Sequence, residues 1–332
     1  MKAYIKDITI FYPSRTISND DLVNMGCKWS AEQIRSKIGV SSRHFCSEEE
    51  NSLTLGMHAA KQLLIQNPNI ADKIDYILFS TLIHDHFMMN SAAYIQKALN
   101  LPNNVAAIDF KLGCSGYITL LTIAKALIES ESAKNVLIIT ADTYSRVMAD
   151  NDFSTMTVFG DAATASLIST EGKYEITKHS HGTDGTGSHI HAKRIGLCNT
   201  YDNAYMYDVK QKAPEKFYMV GEEIFDFVSS TIPQFIKSFL ITENCETDDE
   251  NLYLFHQANQ YMLNYLRKRL MIPKEQFYVD MEKTGNTSTS SIPIALNKIF
   301  KGSLPKKIIC CSFGGGYCWN ALILKKKINI FQ

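Results

Sequence analysis

Two kinds of pattern alternate along the chain. IDYILFST (74–81), NVAAIDF (104–110), NVLIITAD (135–142) and TASLIST (164–170) are short, almost continuously apolar runs rich in β-branched residues, and they read as buried strands. Between them, MNSAAYIQKALN (89–100) and YITLLTIAKALIESES (117–132) space their apolar residues three and four apart, the signature of helices with one buried face. The N-terminal MKAYIKDITIFYPSR alternates like a strand and has charges within its first residues, unlike a secretion signal. Strands alternating with helices predict a layered α/β fold.

The order then repeats. DYILFS (75–80) is matched by LYLFH (252–256), AAIDFKLGCSG (106–116) by FYVDMEKTGNTS (277–288), and VFGDAATASLIS (158–169) by SFGGGYCWNALIL (312–324). Three matches in the same order point to duplication. The expected organisation is two βα halves, 1–172 and 173–332, related by a pseudo-two-fold axis with equivalent loops facing one another.

Composition narrows the field. The chain has 332 residues, 45% apolar and 20% charged, with 34 Lys plus Arg against 34 Asp plus Glu. A balanced charge gives no reason to expect nucleic acid or a membrane surface as partner. No apolar run reaches the roughly 18 residues of a membrane span. None of the eight cysteines, Cys27, Cys46, Cys114, Cys198, Cys245, Cys310, Cys311 and Cys318, forms a C-x-x-C pair. A chain this long builds its core without disulfides, so a reduced, cytoplasmic protein is expected.

The repeat directs attention to Cys114, His256 and Asn286, each just past a strand end at the start of a helix, where α/β proteins carry reactive groups. Taken singly, each has an ordinary structural reading. Cys114 fits a packed thiol, His256 a satisfied histidine, and Asn286 an N-cap or turn residue. A helix start beside Cys114 predicts a lowered thiol pKa. Together the three suit acyl chemistry. A cysteine takes the acyl group of a thioester, while a neutral imidazole and an amide hold a developing enolate oxygen. Asn in place of a second His suits loss of carbon dioxide better than deprotonation of an acetyl group.

CSGY, VFGDAATASLI, HGTDGTG, YMVGEEIFDFV, FHQAN, GNTSTSSIPIAL and SFGGGYCWNALIL, spread over nearly the whole chain, resemble the β-ketoacyl-acyl-carrier-protein synthase III group of the thiolase superfamily. The resemblance implies a thiolase fold in five layers, α-β-α-β-α, and a homodimer. It implies Cys114 as nucleophile, His256 and Asn286 as the donor pair, and Gly314, Gly315 and Gly316 as the loop behind the cysteine. It also places Met88 and Met89 in an acyl-pocket wall offered to the neighbouring subunit. The implied reaction is acyl transfer to Cys114, then decarboxylative Claisen condensation with a malonyl thioester, in fatty acid biosynthesis. Substrates arrive on the phosphopantetheine of acyl-carrier protein or on coenzyme A, with no resident cofactor.

The chain departs from the family pattern at the nucleotide grip. Where relatives read W-I-x-x-R-T-G-I-x-x-R, it reads QIRSKIGVSSR, so Gln33, Lys37 and Ile38 stand for Trp, Arg and Thr, and Phe153 stands for a further Arg. A lysine does not reproduce a forked or stacked guanidinium. A carrier-bound donor, or an altered pose of coenzyme A, is therefore expected. Tyr261 replaces the Arg that usually follows HQAN, leaving Arg267, Lys268 and Arg269 as the candidate docking site for an acidic carrier.

Two further readings remain open from sequence: acyl transfer to an oxygen or nitrogen acceptor, and a non-catalytic partner subunit. His84 and His86, with His179, His181, His189 and His191, lack the Cys or carboxylate that would complete a metal set, and no metal is expected. DGTGSH lacks the strand–turn–helix context of a dinucleotide loop.

Overall fold

The computed structural model describes residues 1–86, 88–189, 216–217, 219–245 and 250–327. Cys198 and His191 lie outside these, as does the side chain of His189. The first half runs β1 (Tyr4–Phe11), β2 (Arg15–Ser18), α1 (Asn19–Asn24), α2 (Ala31–Ile38), β3 (Ser42–Phe45), α3 (Ser52–Gln66), β4 (Tyr76–Ser80), α4 (Ser91–Ala98), β5 (Ala106–Phe110), α5 (Gly116–Glu129), β6 (Asn135–Asp142), α6 (Phe153–Met156) and β7 (Ala162–Ser169). The second runs β8 (Tyr174–Thr183), α7 (Gly221–Thr242), β9 (Asn251–Phe255), α8 (Gln260–Arg269), β10 (Phe277–Tyr278), α9 (Ser291–Ile299), β11 (Lys307–Gly314) and β12 (Cys318–Lys326).

Ten strands follow the order β10-β9-β11-β12-β8-β1-β7-β6-β4-β5. The order is palindromic in kind: β1-β7-β6-β4-β5 on one side mirrors β8-β12-β11-β9-β10 on the other. Among the described residues the two sets are joined through β1 and β8, with Tyr4 opposite Glu175 and Ile5 opposite Tyr174.

Strand pleating explains the layers. On β6, Val136 and Ile138 face one core while Leu137, Ile139 and Ala141 face another. On β11, Ile308 and Cys310 face that same first core, and Ile309, Cys311 and Phe313 face a third. The shared core is filled by α5 (Leu120, Leu121, Ala124) and α9 (Ile292, Ala295, Leu296). Helix α3 covers the outer face of one half-sheet, and α7 and α8 cover the other. Strands buried on both faces read as continuous apolar runs for this reason. The result is helix, sheet, central helices, sheet, helix.

Helix α7 is long and apolar enough to cross a membrane by length and composition. Phe227, Val228, Ile232, Ile236 and Phe239 on it pack into the third core instead. The cysteines described are all free thiols.

Helix starts differ in a way that matters for the site. Helices α1, α2, α3, α4 and α8 are each capped by a side chain, from Ser18, Ser30, Asn51, Asn90 and Asn259. The two central helices, α5 and α9, begin without a side-chain cap. Their first amides are left to other partners.

Candidate active site

Cys114 sits between β5 and α5, Asn286 on the loop between β10 and α9, and His256 directly after β9. The central layer brings the starts of α5 and α9 together. Thr289 donates its hydroxyl to the Gly113 carbonyl at 3.1 Å, and a Cβ on Gly116 would lie 2.9 Å from Thr289 Cγ2. Ser288 Oγ lies 3.8 Å from Cys114 Sγ. At the end of β11, a Cβ on Gly314 would stand 2.9 Å from Cys114 Cβ, so only glycine permits this approach. Gly315 and Gly316 follow in the turn to β12.

Asn286 is fixed by its backbone. Its N–H donates to the Val158 carbonyl at 2.8 Å, and its carbonyl accepts from Gly160 N–H at 3.0 Å. Its side-chain Oδ1 accepts the Ser288 N–H at 2.8 Å, which turns the Nδ2 group away from that turn. The His256 N–H donates to the Cys311 carbonyl at 2.8 Å, and its Nδ1 meets Ser291 Oγ at 2.7 Å. The His256 ring stands edge-on to Phe313. Among the described residues, neither His256 Nε2 nor Asn286 Nδ2 has a hydrogen-bond partner.

The expected lowering of the Cys114 pKa is not found. Burial pushes the thiol up to about 12, with the Ser288 contact acting against it. Cys114 precedes α5 by two residues, and the Gly116 amide at the helix start already donates to the Gly113 carbonyl at 2.7 Å. The resting group at neutral pH is therefore the thiol. Burial lowers the His256 pKa to about 3, so its imidazole is neutral throughout the physiological range.

Sequence reasoning passed over the groups that hold the site. Asp142, fully buried at the end of β6, accepts Leu82 N–H at 2.9 Å, Thr289 N–H at 3.2 Å and the Thr289 hydroxyl at 2.5 Å. Tyr144, also buried, places its hydroxyl 3.5 Å from Ser288 Oγ. The available signal was the hydroxyl run TSTSS: Thr287, Ser288, Thr289, Ser290 and Ser291 are all buried, which a mere N-cap or turn would not require.

The remaining candidates divide. Arg267 is turned back on its own helix, donating from Nη1 to the Ile272 carbonyl at 3.1 Å, so it is a helix-end cap rather than a free docking cation. Lys268 and Arg269 stay exposed. Met88 and Met89 project from the surface, 88% and 59% exposed. Gln33, far from stacking on a ligand, closes the capping box of α2 with Ser30. The aromatic surface comes from elsewhere: Trp29, with Lys37 Nζ 4.7 Å from its ring centre, borders a cavity of about 560 Å³ together with Lys28, Ile38 and Phe153. Among the described residues, no group of three or more His, Cys, Asp or Glu side chains is placed to hold a metal ion.

The mirrored half-sheets around a helical layer, with reactive loops apposed at its edge, define a thiolase-fold protein. Solved 3-oxoacyl-(acyl-carrier-protein) synthase III structures superimpose closely. One, 33% identical, has a TM-score of 0.90 and covers 98% of this chain and 100% of its own. Another, from Thermus thermophilus, is 27% identical with a TM-score of 0.86, covering 97% and 99%. The family profile described as 3-oxoacyl-[acyl-carrier-protein (ACP)] synthase III matches residues 108–185, and its C-terminal counterpart matches 240–326. The β-ketoacyl-[acyl-carrier-protein] synthase III of Campylobacter jejuni is 32% identical over 98% of both chains, and that of Streptococcus agalactiae is 31% identical over 97% of this chain and 99% of its own. The chain belongs to the 3-oxoacyl-[acyl-carrier-protein] synthase III family and is a condensing enzyme of that type.

Two outcomes follow from the geometry. A Cβ on Gly160 would fall 2.1 Å from the Thr284 carbonyl oxygen, which belongs to the loop carrying Asn286. Gly160→Ala should cost about 1–3 kcal/mol, read as a lower thermal midpoint. The second concerns acid. His256 titrates near 6.5 when unfolded and about 3 when folded, so between these values only the unfolded chain takes the proton. Its contribution is fully present above 6.5 and is lost as pH falls toward 3, on the order of several kcal/mol in all. His256→Asn should flatten the fall of the melting midpoint between pH 6.5 and 4; an unchanged slope would show that other groups govern it.

Proposed function

We propose that Cys114 is the acyl-accepting nucleophile and that His256 and Asn286 hold the enolate in a decarboxylative condensation. The observation that carries this reading is the pair of unpartnered donors, His256 Nε2 and Asn286 Nδ2, in a region where nearly every other polar group is hydrogen-bonded. In the tautomer in which Ser291 donates to Nδ1, the imidazole proton is on Nε2. Cys114 sulfur attacks the donor carbonyl, and the donor thiol leaves. Amides at the uncapped start of α5 and beside Gly314 receive the oxyanion. The malonyl carboxylate is then lost as carbon dioxide, and its bonding electrons form an enolate whose oxygen accepts from His256 and Asn286. The enolate carbon attacks the acyl carbonyl, expelling Cys114 sulfur. A histidine of such low basicity is suited to donating a hydrogen bond and poorly suited to deprotonating an oxygen or nitrogen acceptor.

The halves 1–172 and 173–332 supply the nucleophile and the donor pair respectively. Trp29, Phe153 and Lys28 line one cavity and Lys37 stands over the Trp29 ring, offering aromatic surface and point charges without a guanidinium fork. This favours phosphopantetheine on an acyl-carrier protein, docked near Lys268 and Arg269, over a nucleotide-gripped coenzyme A. The enzyme works as a cytoplasmic homodimer. Strand β5 ends the sheet with one edge unpaired and Ile108 exposed. The Met88–Met89 loop leans on that strand through Asn90 Nδ2, 2.6 Å from the Ala107 carbonyl, so a second copy at this edge would receive both methionines.

Intact-mass measurement after incubation with acetyl-coenzyme A or acetyl-carrier protein tests the reading. The wild type should gain one acetyl group, faster from the carrier, and Cys114→Ala should gain none. Asn286→Ala should still be acylated but release carbon dioxide from malonyl-carrier protein about 10²–10³-fold more slowly. Acetylation persisting in Cys114→Ala, or full carbon dioxide release by Asn286→Ala, would overturn the assignment.

A further inference from the structure

Acylation of a resting thiol requires its proton to go somewhere. His256 is poorly placed to take it: Nδ1 is held by Ser291, and the buried ring has little basicity. Ser288 is the one side-chain partner of Cys114 Sγ among the described residues, with Oγ 3.8 Å away.

Ser288 is held there at some conformational expense. Its φ is +50°, a left-handed backbone that residues other than glycine seldom adopt. Its N–H is bound to Asn286 Oδ1 on one side. On the other, Thr289 is clamped by Asp142 and bonded to the Gly113 carbonyl, one residue before the nucleophile. The same clamps fix the sulfur and the hydroxyl relative to each other. Beyond Ser288, the Tyr144 hydroxyl lies 3.5 Å from Oγ, and burial keeps that phenol protonated, as a donor. With Tyr144 donating to one lone pair of Oγ, the other is left to accept the Cys114 thiol proton, and the proton of Ser288 itself is left for the sulfur of the acyl donor.

We propose that Ser288 is a further catalytic residue, its hydroxyl relaying the Cys114 thiol proton to the leaving sulfur of the acyl donor. The Sγ–H bond breaks as the bond from Sγ to the acyl carbon forms. The thiol proton passes to Ser288 Oγ while the proton of Ser288 passes to the donor sulfur, as the old carbon–sulfur bond breaks. The products are acyl-Cys114 and the free donor thiol, with no other reactant consumed. The proposal rests on Cys114 being the nucleophile.

Glycine adopts positive φ freely, so Ser288→Gly removes the hydroxyl and relieves the turn, whereas Ser288→Ala removes the hydroxyl and keeps the Cβ strain of the native serine. The test is rapid-quench intact mass, giving acylation rates for wild type, Ser288→Gly and Ser288→Ala, with thermal melts as a check on folding. Two acetyl donors are used: acetyl-pantetheine, whose basic alkyl thiolate leaves only as it takes up the relayed proton, and S-phenyl thioacetate, whose weakly basic aryl thiolate leaves well ahead of protonation so that the thiol proton can pass to water. Ser288→Gly should acylate about 10²-fold more slowly from acetyl-pantetheine and less than about tenfold more slowly from the aryl ester. Decarboxylation by enzyme already acylated should be little changed. A wild-type rate in Ser288→Gly, or an equal deficit with both donors, would overturn the relay and leave Cys114 as nucleophile. Absence of acylation at Cys114 in the wild type would overturn the nucleophile itself, and the relay with it.

Discussion

One buried carboxylate ties the reactive loops together. Asp142 closes β6 of the first half and binds Thr289, at the start of α9 in the second, through both its amide and its hydroxyl. The same carboxylate fixes Leu82, whose side chain packs against Gly113. Thr289 in turn bonds the carbonyls of Leu112 and Gly113. Hydrogen bonds to a charged acceptor contribute about 1.5–3 kcal/mol each, and a buried acceptor left unmatched costs more than it gave. The nucleophile loop, the hydroxyl run and the sheet end are thus set by one group, and the geometry at Cys114 follows from it.

The architecture was legible because strands buried on both faces leave a strong one-dimensional trace. Runs such as NVLIITAD have no polar face to interrupt them, and the palindromic strand order appears in sequence as three ordered matches. The candidate triplet was legible for a related reason: each member follows a strand end, Cys114 and Asn286 in equivalent loops of the two halves and His256 after β9. The state of Cys114 was not. Helix-start electrostatics is a local property that sequence shows, whereas desolvation depends on Leu82, Tyr144 and Gly314 arriving from remote segments, and burial wins. Arg267 shows the same dependence on three-dimensional geometry. Three adjacent basic residues suggest a patch, but helical geometry turns one of them back to the Ile272 carbonyl. The hydroxyl run TSTSS, next to an Asn286 read as an N-cap or turn residue, drew no notice from sequence, and its burial is visible only in the fold.

The cavity beside α2 shows how an aromatic surface can be built from another position in the chain. Gln33 stands where relatives carry a stacking tryptophan, yet Trp29, four residues earlier and just ahead of α2, borders the same cavity as Phe153. The cavity thus has an aromatic wall, with Lys28 on its lining and Lys37 over the Trp29 ring. Such a surface discriminates weakly between phosphate geometries and leaves specificity to whatever delivers the pantetheine arm.

The central helical layer has a consequence for the integrity of the chain. Helices α5 and α9, one from each half, fill a single core roofed by both half-sheets, while the half-sheets are joined edge to edge through β1 and β8. Cutting at the repeat boundary would strip each half of its inner cover and lay bare a face of isoleucine, leucine and valine. Each half therefore serves as the inner cover of the other, and the loops ahead of the two central helices, one carrying Cys114 and the other Asn286, are held together by the same packing.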